Sequence, residues 1–357
     1  MHACDRPDCN TPDHRVTPPS RRQVLRGAAG VLAAAALPLG ATRAASAKPY
    51  RIDVHHHLAP PEWVHEWAPT GQIFPIIRDW TPEKSLEDMD RGGVSTAILS
   101  VTIPGVVLPD VAAGRKLTRA CNDYAMRLVS DHQGRFGMFP ALPLPDVDGS
   151  LKEIEYVLDV LKADGIGLFT SYGDKWLGDP AFDPVMAELN RRKAVVYTHP
   201  TVANCCRNLL PDVPPAVVEY GTDTSRAIAR LLFSGAATRF PDIRWIFSHA
   251  GGTMPFLVER FLFQAKSPQG AKVLPNGVMP ELRKFNYDIA QSFDAPPMLA
   301  LKKLVPLSQI LFGTDFPFRT TEEHVKGLRA SGVFTARELQ AIERDNALKL
   351  LPPRYRA

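Results

Sequence analysis

Four separated segments of this 357-residue chain end an apolar run in a side chain that can bind a metal ion. They are Asp-Val-His-His-His at 53–57, Tyr-Thr-His at 197–199, Phe-Ser-His at 247–249 and Gly-Thr-Asp at 313–315. Parallel strands of a (β/α)₈ barrel place their last side chains over one end of the barrel, so ligands far apart in sequence converge there. The pattern predicts an α/β chain, a (β/α)₈ TIM barrel with a mononuclear metal site at its mouth, and therefore an enzyme.

The spacing within the first segment adds detail to this prediction. His55 and His57 are two residues apart, and side chains at that spacing point to one face of a strand. We expect both to bind the same ion, and His56 to face the barrel wall or the surrounding helices. Imidazoles with one carboxylate suit zinc and, less selectively, manganese, iron or cobalt, and they leave a position open for water or substrate. A single strand-end histidine such as His249 is also compatible with a hydrogen-bonded wall residue.

The first 47 residues have the pattern of an export leader. Ser-Arg-Arg-Gln-Val-Leu at 20–25 is a twin-arginine signature, and an apolar stretch at 27–39 and Ala-Ser-Ala at 45–47 follow it. We expect residues 1–47 to be a signal peptide that engages the twin-arginine export machinery, and residues 48–357 to be one barrel domain in the periplasm. The alternative is an amphipathic tail or a membrane anchor. The apolar stretch is shorter than the roughly 20 residues of a spanning helix, so no stable anchor is expected.

Charge argues against a nucleic-acid partner. The whole chain carries +4, and the six Arg and three Asp of residues 1–47 account for +3 of it, which leaves +1 for residues 48–357. A nearly neutral domain offers no electrostatic surface for nucleic acid or an anionic membrane. We therefore expect a small-molecule substrate.

Three of the five cysteines follow the leader, namely Cys121, Cys205 and Cys206. An odd number argues against a disulfide framework, and the adjacent Cys205 and Cys206 could pair only through a strained ring. They follow His199 closely, so a thiolate metal ligand is conceivable. We expect instead thiols that pack in the core or in a loop.

Strand and helix patterns alternate along residues 48–357, as a parallel barrel requires. The predicted strands are 50–55, 95–101, 136–141, 165–169, 194–198, 244–248, 286–290 and 309–313. The predicted helices include 82–91, 111–131, 151–163, 180–192, 223–237 and 255–263. On this count the four ligand segments fall at strands 1, 5, 6 and 8, each at the carboxyl end, where active sites of such barrels lie.

At these residues the chain resembles the amidohydrolase superfamily, in the branch of aminocarboxymuconate-semialdehyde decarboxylase and the hydroxybenzoate decarboxylases. The shared motifs are IDVHHH, THP, SHAGG and GTDFP, and they span most of residues 48–357. The segments 96–101, 168–174 and 188–192 are similar to the 6-methylsalicylate decarboxylase group. No lysine that could bridge two metals follows the fourth strand, where residues 167–170 read Gly-Leu-Phe-Thr. The export leader is a departure from that group and leaves the exact substrate open.

The resemblance implies a role for each candidate site residue. His55, His57, His199 and Asp315 would hold one divalent ion, with zinc expected first and manganese second. Asp315 and His249 would move the proton in a non-oxidative decarboxylation of a hydroxylated aromatic acid such as 6-methylsalicylate. The alternatives are a hydrolase of a lactone or amide on the same scaffold, and a binding protein without catalysis. The resemblance also implies a homo-oligomer, such as a dimer.

Several residues around the predicted mouth are weaker candidates. Four aromatic side chains near strand ends could flank the substrate ring, although aromatic residues in such places more often belong to the core; they are Trp80, Phe169, Tyr172 and Phe316. The segment 202–222 is a candidate lid or subunit contact. Asp223 is expected to cap the helix that follows it.

Overall fold

Eight parallel strands form the barrel in this computed structural model, which describes residues 50–356. The predicted leader lies outside the described residues. The barrel strands are β1 Arg51–Leu58, β2 Val94–Val101, β3 Phe136–Met138, β4 Ile166–Phe169, β7 Val195–His199, β8 Arg244–Phe247, β9 Asn286–Asp288 and β10 Ile310–Leu311. A small antiparallel hairpin, β5 Ser171–Tyr172 and β6 Lys175–Trp176, follows β4.

Two parallel sheets close into one barrel. The order β1-β2-β3 forms the first, and β4-β7-β8-β9-β10 forms the second. A bridge between Ala141 and Gly167 joins β3 to β4, and a bridge between His56 and Phe316 joins the chain after β10 to β1. The predicted (β/α)₈ architecture is therefore confirmed, and all eight predicted strands are present within a few residues of their expected ends.

Helices surround the barrel in the connections between strands. They are α1 Pro61–Trp67, α2 Pro75–Arg78, α3 Pro82–Gly92, α4 Val111–Asp131, α5 Val147–Glu155, α6 Asp183–Arg191, α7 Pro215–Phe233, α8 Ala236–Arg239, α9 Met254–Ala265, α10 Pro268–Val273, α11 Val278–Leu282, α12 Ala295–Leu304, α13 Thr321–Ala330, α14 Ala336–Gln340 and α15 Ala347–Leu350. Two π-helical turns, Tyr156–Val160 and Ala341–Asp345, extend α5 and α14. Within residues 50–356 no helix is both long and apolar enough to cross a membrane.

Local sequence signals set the ends of these helices. The Thr81 hydroxyl accepts a hydrogen bond from the Lys84 amide at the start of α3, and Pro82 occupies the first helical turn. Gly93 then ends α3 in the left-handed conformation that glycine adopts without steric cost. Asp110 caps α4 in the same way, by accepting from the amides of Ala112 and Ala113.

The expected cap at Asp223 is wrong. The helix begins eight residues earlier, at Pro215, and Asp223 lies fully buried inside α7. Its carboxylate accepts hydrogen bonds from the hydroxyls of Thr170 and Ser171 and from the indole of Trp176. Asp223 thus fastens the β5–β6 hairpin to α7, because a buried carboxylate requires such donors.

The barrel interior is filled by apolar side chains below the mouth. They form one buried cluster, to which the C-terminal segment contributes from below: Ile52, Val54, Ile98, Phe139, Val195, Tyr197, Ile246, Leu311, Ala347, Leu351 and Tyr355. A larger cluster packs the outer faces of the strands against the helices. The polar side chains at the carboxyl ends of the strands therefore stand on a closed apolar floor.

Candidate metal centre

Three histidines and one aspartate meet at the mouth of the barrel. One ligand atom from each of His55, His57, His199 and Asp315 lies within 4.8 Å of all the others, and all four residues are buried. The Oδ1 atom of Asp315 lies 2.8 Å from His57 Nε2 and 3.2 Å from His55 Nε2. Residues up to 260 positions apart in sequence thus form the predicted cluster.

A bulge in β1 aims the two histidines of this strand. Between the pairs Asp53–Ala97 and His56–Leu99, two residues of β1 stand against one residue of β2. An extra residue exchanges the two faces of a strand beyond it. Ile52 and Val54 point into the apolar floor, and beyond the bulge His55 and His57 point into the mouth. His56 faces outward as predicted and contacts Ser85 of α3, with 2.9 Å between its Nε2 and the hydroxyl oxygen.

The outer nitrogen of each mouth histidine donates to a fixed oxygen. His57 Nδ1 donates to the Ser100 carbonyl at 3.2 Å, and His199 Nδ1 donates to the Pro200 carbonyl at 2.8 Å. His55 Nδ1 lies 3.1 Å from an oxygen of Asp288. A histidine that donates through Nδ1 presents the lone pair of Nε2 on its other side. All three Nε2 atoms therefore face the centre as ligands.

This donor set fits a divalent cation. The Nε2 atoms of His55 and His57 lie only 3.2 Å apart, so two lone pairs would repel each other unless a proton or a metal ion lies between them. Asp315 adds a carboxylate oxygen on the same side. Three imidazoles and one carboxylate oxygen form a ligand set that zinc and other divalent transition metals accept, with a position left for a further ligand.

The pKa values of the cluster residues also indicate that the centre binds a cation. Burial lowers the pKa of His55, but the charges of Asp288 and Asp315 outweigh it and raise that pKa to about 10. Burial lowers the pKa of both His57 and His199. Burial raises the pKa of Asp315, but the charge and hydrogen bond of His55 outweigh it and hold that pKa well below its usual value. Without a cation, the buried carboxylates thus keep one proton on His55.

Metal affinity should therefore rise with pH. Below a pKa of about 10, His55 carries a proton that the ion must displace. The expected gain is about tenfold in affinity per pH unit through the neutral and mildly alkaline range, because one proton leaves for each ion bound. Competition titrations against a chelating indicator measure it. Asp288→Asn should flatten the slope, since it removes the main group that raises the pKa of His55. A pH-independent affinity in the parent protein would contradict this result.

The Gly-Thr-Asp segment after β10 is tied directly to β1. Asp53 accepts hydrogen bonds from the amide of Thr314 at 3.1 Å and from its hydroxyl at 2.6 Å. The amide of Asp315 donates to the His55 carbonyl at 2.8 Å, and Asp315 has a left-handed φ of 65°. A non-glycine residue in this conformation needs support from its surroundings, and such residues cluster at functional sites. The two ligand-bearing segments therefore hold each other in register.

Gly313 lies where the segment after β10 packs against β1, and there is no room for a side chain at this position. A Cβ atom there would lie 2.9 Å from the Cβ of His55 and 3.0 Å from that of Asp288. We expect Gly313→Ala to destabilise the fold by about 1–3 kcal/mol and to weaken metal binding, because His55 must shift. Thermal unfolding and metal titration measure both effects. Gly221→Ala is the matched control, since a Cβ there meets nothing closer than 3.7 Å. It should leave metal binding unchanged and raise stability by up to about 1 kcal/mol, because alanine favours the interior of α7.

One short loop that the sequence analysis missed supports the whole centre. This β9 loop, residues 288–291, contacts three of the predicted site residues. Asp288 accepts a hydrogen bond from His55 Nδ1. The Ala290 carbonyl accepts one from His249 Nδ1 at 2.9 Å. Gln291 donates its side-chain amide to Asp315 Oδ2. Asp288 ends β9, whereas the predicted strand 286–290 placed it inside a strand, so it was not recognised as a strand-end residue.

His249 stands beside the cluster, not within it. Its Nε2 lies 4.0 Å from Oδ2 of Asp315, and its ring centroid lies 4.9 Å from that of His55. Its φ of 53° is also left-handed, and its amide donates to Asp288 at 3.1 Å. The structure thus places His249 within reach of the oxygen of Asp315 that does not face His55 and His57.

One of the four candidate aromatic residues lies near the centre, and a second packs behind it. Phe169 ends β4, and its ring centroid lies 6.1 Å from that of His199. Tyr172 supports Phe169 from behind, because its hydroxyl accepts the Phe169 amide hydrogen at 3.0 Å. Phe318 was missed by sequence reasoning, and its ring lies 5.9 Å from that of His57.

The structure does not bring Trp80 and Phe316 to the centre. Phe316 stacks on the outward-facing ring of His56 at 4.7 Å, and the indole of Trp80 donates to Ser85, which also contacts His56. Both residues therefore pack behind β1. Their assignment as substrate contacts is wrong, because the bulge in β1 puts His56 and its neighbours on the face opposite to His55 and His57.

The cysteines of the loop after β7 are not part of the cluster. Cys205 and Cys206 form a 3₁₀ turn, with Cys205 exposed, Cys206 buried and both thiols free. These are loop thiols, as expected. The rest of the candidate lid, 202–222, is partly helical, since α7 begins at Pro215. Its predicted role as a lid or subunit contact stays a prediction.

Comparison with known proteins identifies the family. The amidohydrolase family pattern matches residues 52–352. The chain belongs to this family. Decarboxylase yanB of Aspergillus niger is 37% identical over 324 residues, which cover 85% of this chain and 87% of that protein. The 6-methylsalicylic acid decarboxylase of Penicillium expansum is 35% identical over 317 residues, which cover 85% of this chain and 96% of that protein.

A solved structure agrees with the fold. The crystal structure of a dihydroxybenzoic acid decarboxylase from a Polaromonas species, with bound manganese and the inhibitor 2-nitroresorcinol, superimposes with a TM-score of 0.72. The two chains are 20% identical, and the match covers 84% of this chain and 96% of the other. This likeness supports the barrel fold. The predicted resemblance to the decarboxylase branch is confirmed by the two fungal relatives. The implied homo-oligomer stays a prediction.

Proposed function

We propose that this protein is a metal-dependent, non-oxidative decarboxylase of a hydroxylated aromatic acid, a carboxy-lyase that acts on 6-methylsalicylate or a related hydroxybenzoate. The observation that carries the proposal is the buried cluster of three inward-facing Nε2 atoms and one carboxylate oxygen, with His249 beside it. The two fungal relatives are decarboxylases by name, which favours this chemistry over hydrolysis of a lactone or amide.

His55, His57, His199 and Asp315 would hold the divalent ion. Zinc is the ion that this donor set favours, and manganese is the second candidate. When bound there, the ion would supply the positive charge that a hydroxylated aromatic carboxylate needs for binding. Phe169 and Phe318 lie where their rings can pack against the bound aromatic ring.

Asp315 and His249 would then move the proton. Carbon dioxide leaves after a proton adds to the ring carbon that bears the carboxylate, and the electrons of the broken carbon–carbon bond restore the aromatic ring. Asp315 is ionised in the free site because its pKa is low, so it must first receive that proton from the substrate or water. His249 lies 4.0 Å from Asp315 Oδ2 and can assist this transfer.

A panel of acids tests the proposal. The mature protein, loaded with zinc or manganese, should convert 6-methylsalicylate and 2,6-dihydroxybenzoate to the corresponding phenols and carbon dioxide. 2-Methylbenzoate is the matched control, because it lacks the ortho hydroxyl and should not react. Equal turnover of the acids with and without that hydroxyl would show that the ortho hydroxyl is not needed, and would contradict the proposed substrate class. Hydrolysis of lactones without decarboxylation of any acid would favour the alternative.

Export through the twin-arginine route is part of the same proposal. It rests on Arg21 and Arg22 and on the apolar stretch that follows them. This route carries folded proteins, so the buried centre could be filled before transport. The intact mass of the periplasmic protein tests the expected removal of residues 1–47. An uncut chain in the periplasm would contradict the cleavage, and export of an Arg21→Lys, Arg22→Lys variant at the normal level would contradict the route.

A further inference from the structure

Gln291 makes a contact at the centre that the proposed reaction does not explain. Its side-chain amide donates to Oδ2 of Asp315, while Oδ1 of the same carboxylate faces His55 and His57. The two oxygens of Asp315 therefore have different partners. One is available to the ion, and the other is held by a neutral amide.

The backbone of Gln291 is held in an unusual conformation to make this contact. Its φ of 51° is left-handed, which costs a non-glycine residue of order 1 kcal/mol or more. Its backbone amide donates a hydrogen bond to Nε2 of His324 at 2.9 Å. His324 is fully buried in α13 and lies on no barrel strand. The surrounding structure thus supports a conformation that the chain would otherwise avoid.

The state of His324 follows from its two contacts. A backbone N–H can only donate, so Nε2 of His324 accepts from Gln291 and carries no proton. Its Nδ1 lies 3.0 Å from the Thr320 carbonyl and donates to it. Burial also lowers the pKa of His324, which keeps the ring neutral. The ring of Phe293, 4.8 Å away, packs against it edge-on. His324 is therefore a fixed hydrogen-bond acceptor for the backbone amide of Gln291.

We propose that Gln291 is a positioning residue of this centre: it holds one oxygen of Asp315 away from the ion, and His324 holds Gln291. This inference rests on the proposed function and adds the source of the carboxylate's orientation. A primary amide carries N–H donors that a carboxylate oxygen can accept. Gln291 therefore keeps a donor on Oδ2 of Asp315, while Oδ1 stays directed at His55 and His57, where the ion would lie.

Gln291→Met tests this role, because methionine has nearly the same length but cannot form the hydrogen bond. We expect kcat to fall about 10- to 100-fold, the usual effect of losing a partner that orients a ligand, while KM changes by less than about threefold. Gln291→Asn should not rescue turnover, since it is one methylene too short to reach Asp315. His324→Phe should lower kcat in the same way. Gln133→Ala, at an exposed glutamine, should have no effect.

The visible spectrum of the cobalt-substituted protein supplies a readout that needs no substrate. Once Gln291 is lost, both oxygens of Asp315 can bind the ion, so the spectrum of Gln291→Met should change toward a higher coordination number. A Gln291→Met protein with the parent spectrum and an unchanged kcat would overturn the inference. If the parent protein decarboxylates none of the acids, the proposed function fails, and the cobalt spectra alone then decide the role of Gln291.

Discussion

Asp315→Asn is expected to retain the metal ion and to lose turnover. The amide oxygen can still point at His55 and His57, but an amide cannot take up and release the proton that the ring carbon needs. General acid–base groups contribute about 10²- to 10⁴-fold, and we expect kcat to fall within that range. Steady-state kinetics and metal analysis of the same sample measure the two properties separately.

Asp131→Asn is the matched control, because Asp131 is exposed at the end of α4 and makes no contact with the centre. It should behave like the parent protein. Near-normal turnover in Asp315→Asn, with one ion per chain, would show that another group moves the proton. Loss of the ion together with turnover would show that Asp315 acts mainly as a ligand.

His199→Ala has the second large expected effect. It removes one of the three inward-facing nitrogens, and the remaining ligands come only from β1 and the segment after β10. We expect the affinity for the ion to fall by more than about 100-fold, beyond the usual effect of losing a residue that merely orients a ligand. Turnover should disappear when metal is limiting. Equilibrium dialysis against zinc and manganese measures the affinity.

His65→Ala is the control for this variant, because His65 is an exposed histidine of α1. Comparing thermal unfolding of the two metal-free proteins separates loss of the ion from loss of the fold. An unchanged metal content in His199→Ala, with full activity, would contradict its assignment as a ligand.

Much of this centre could be predicted from strand ends alone. Parallel strands of a barrel have their carboxyl ends on one face, so a histidine or aspartate that ends an apolar run is placed without knowledge of any contact. Asp288 was missed because the predicted strand continued to residue 290, whereas β9 ends at Asp288. The bulge also left a trace in the sequence, because Ile52 and Val54 occupy even positions while the inward-facing His55 and His57 occupy odd ones.

Contacts made by loops could not be predicted in this way. The position of Gln291 depends on a left-handed backbone, and no proline or glycine marks that conformation in the sequence. Phe316 directly follows a predicted ligand, yet the turn after Asp315 sends its ring behind β1. Asp223 suits a helix cap by residue type. Its burial and its hydrogen bonds to the β5–β6 hairpin depend on tertiary contacts. Residue preference alone does not contain that information.

The most direct test of the decarboxylase assignment is turnover of 6-methylsalicylate and related ortho-hydroxybenzoates in deuterated water, with carbon dioxide and the aromatic product both followed. We predict one carbon dioxide per phenol, and one deuterium on the ring carbon that carried the carboxylate, because solvent-exchangeable groups deliver that proton. Failure to release carbon dioxide from any of these acids, in protein that holds one metal ion per chain, would contradict the assignment.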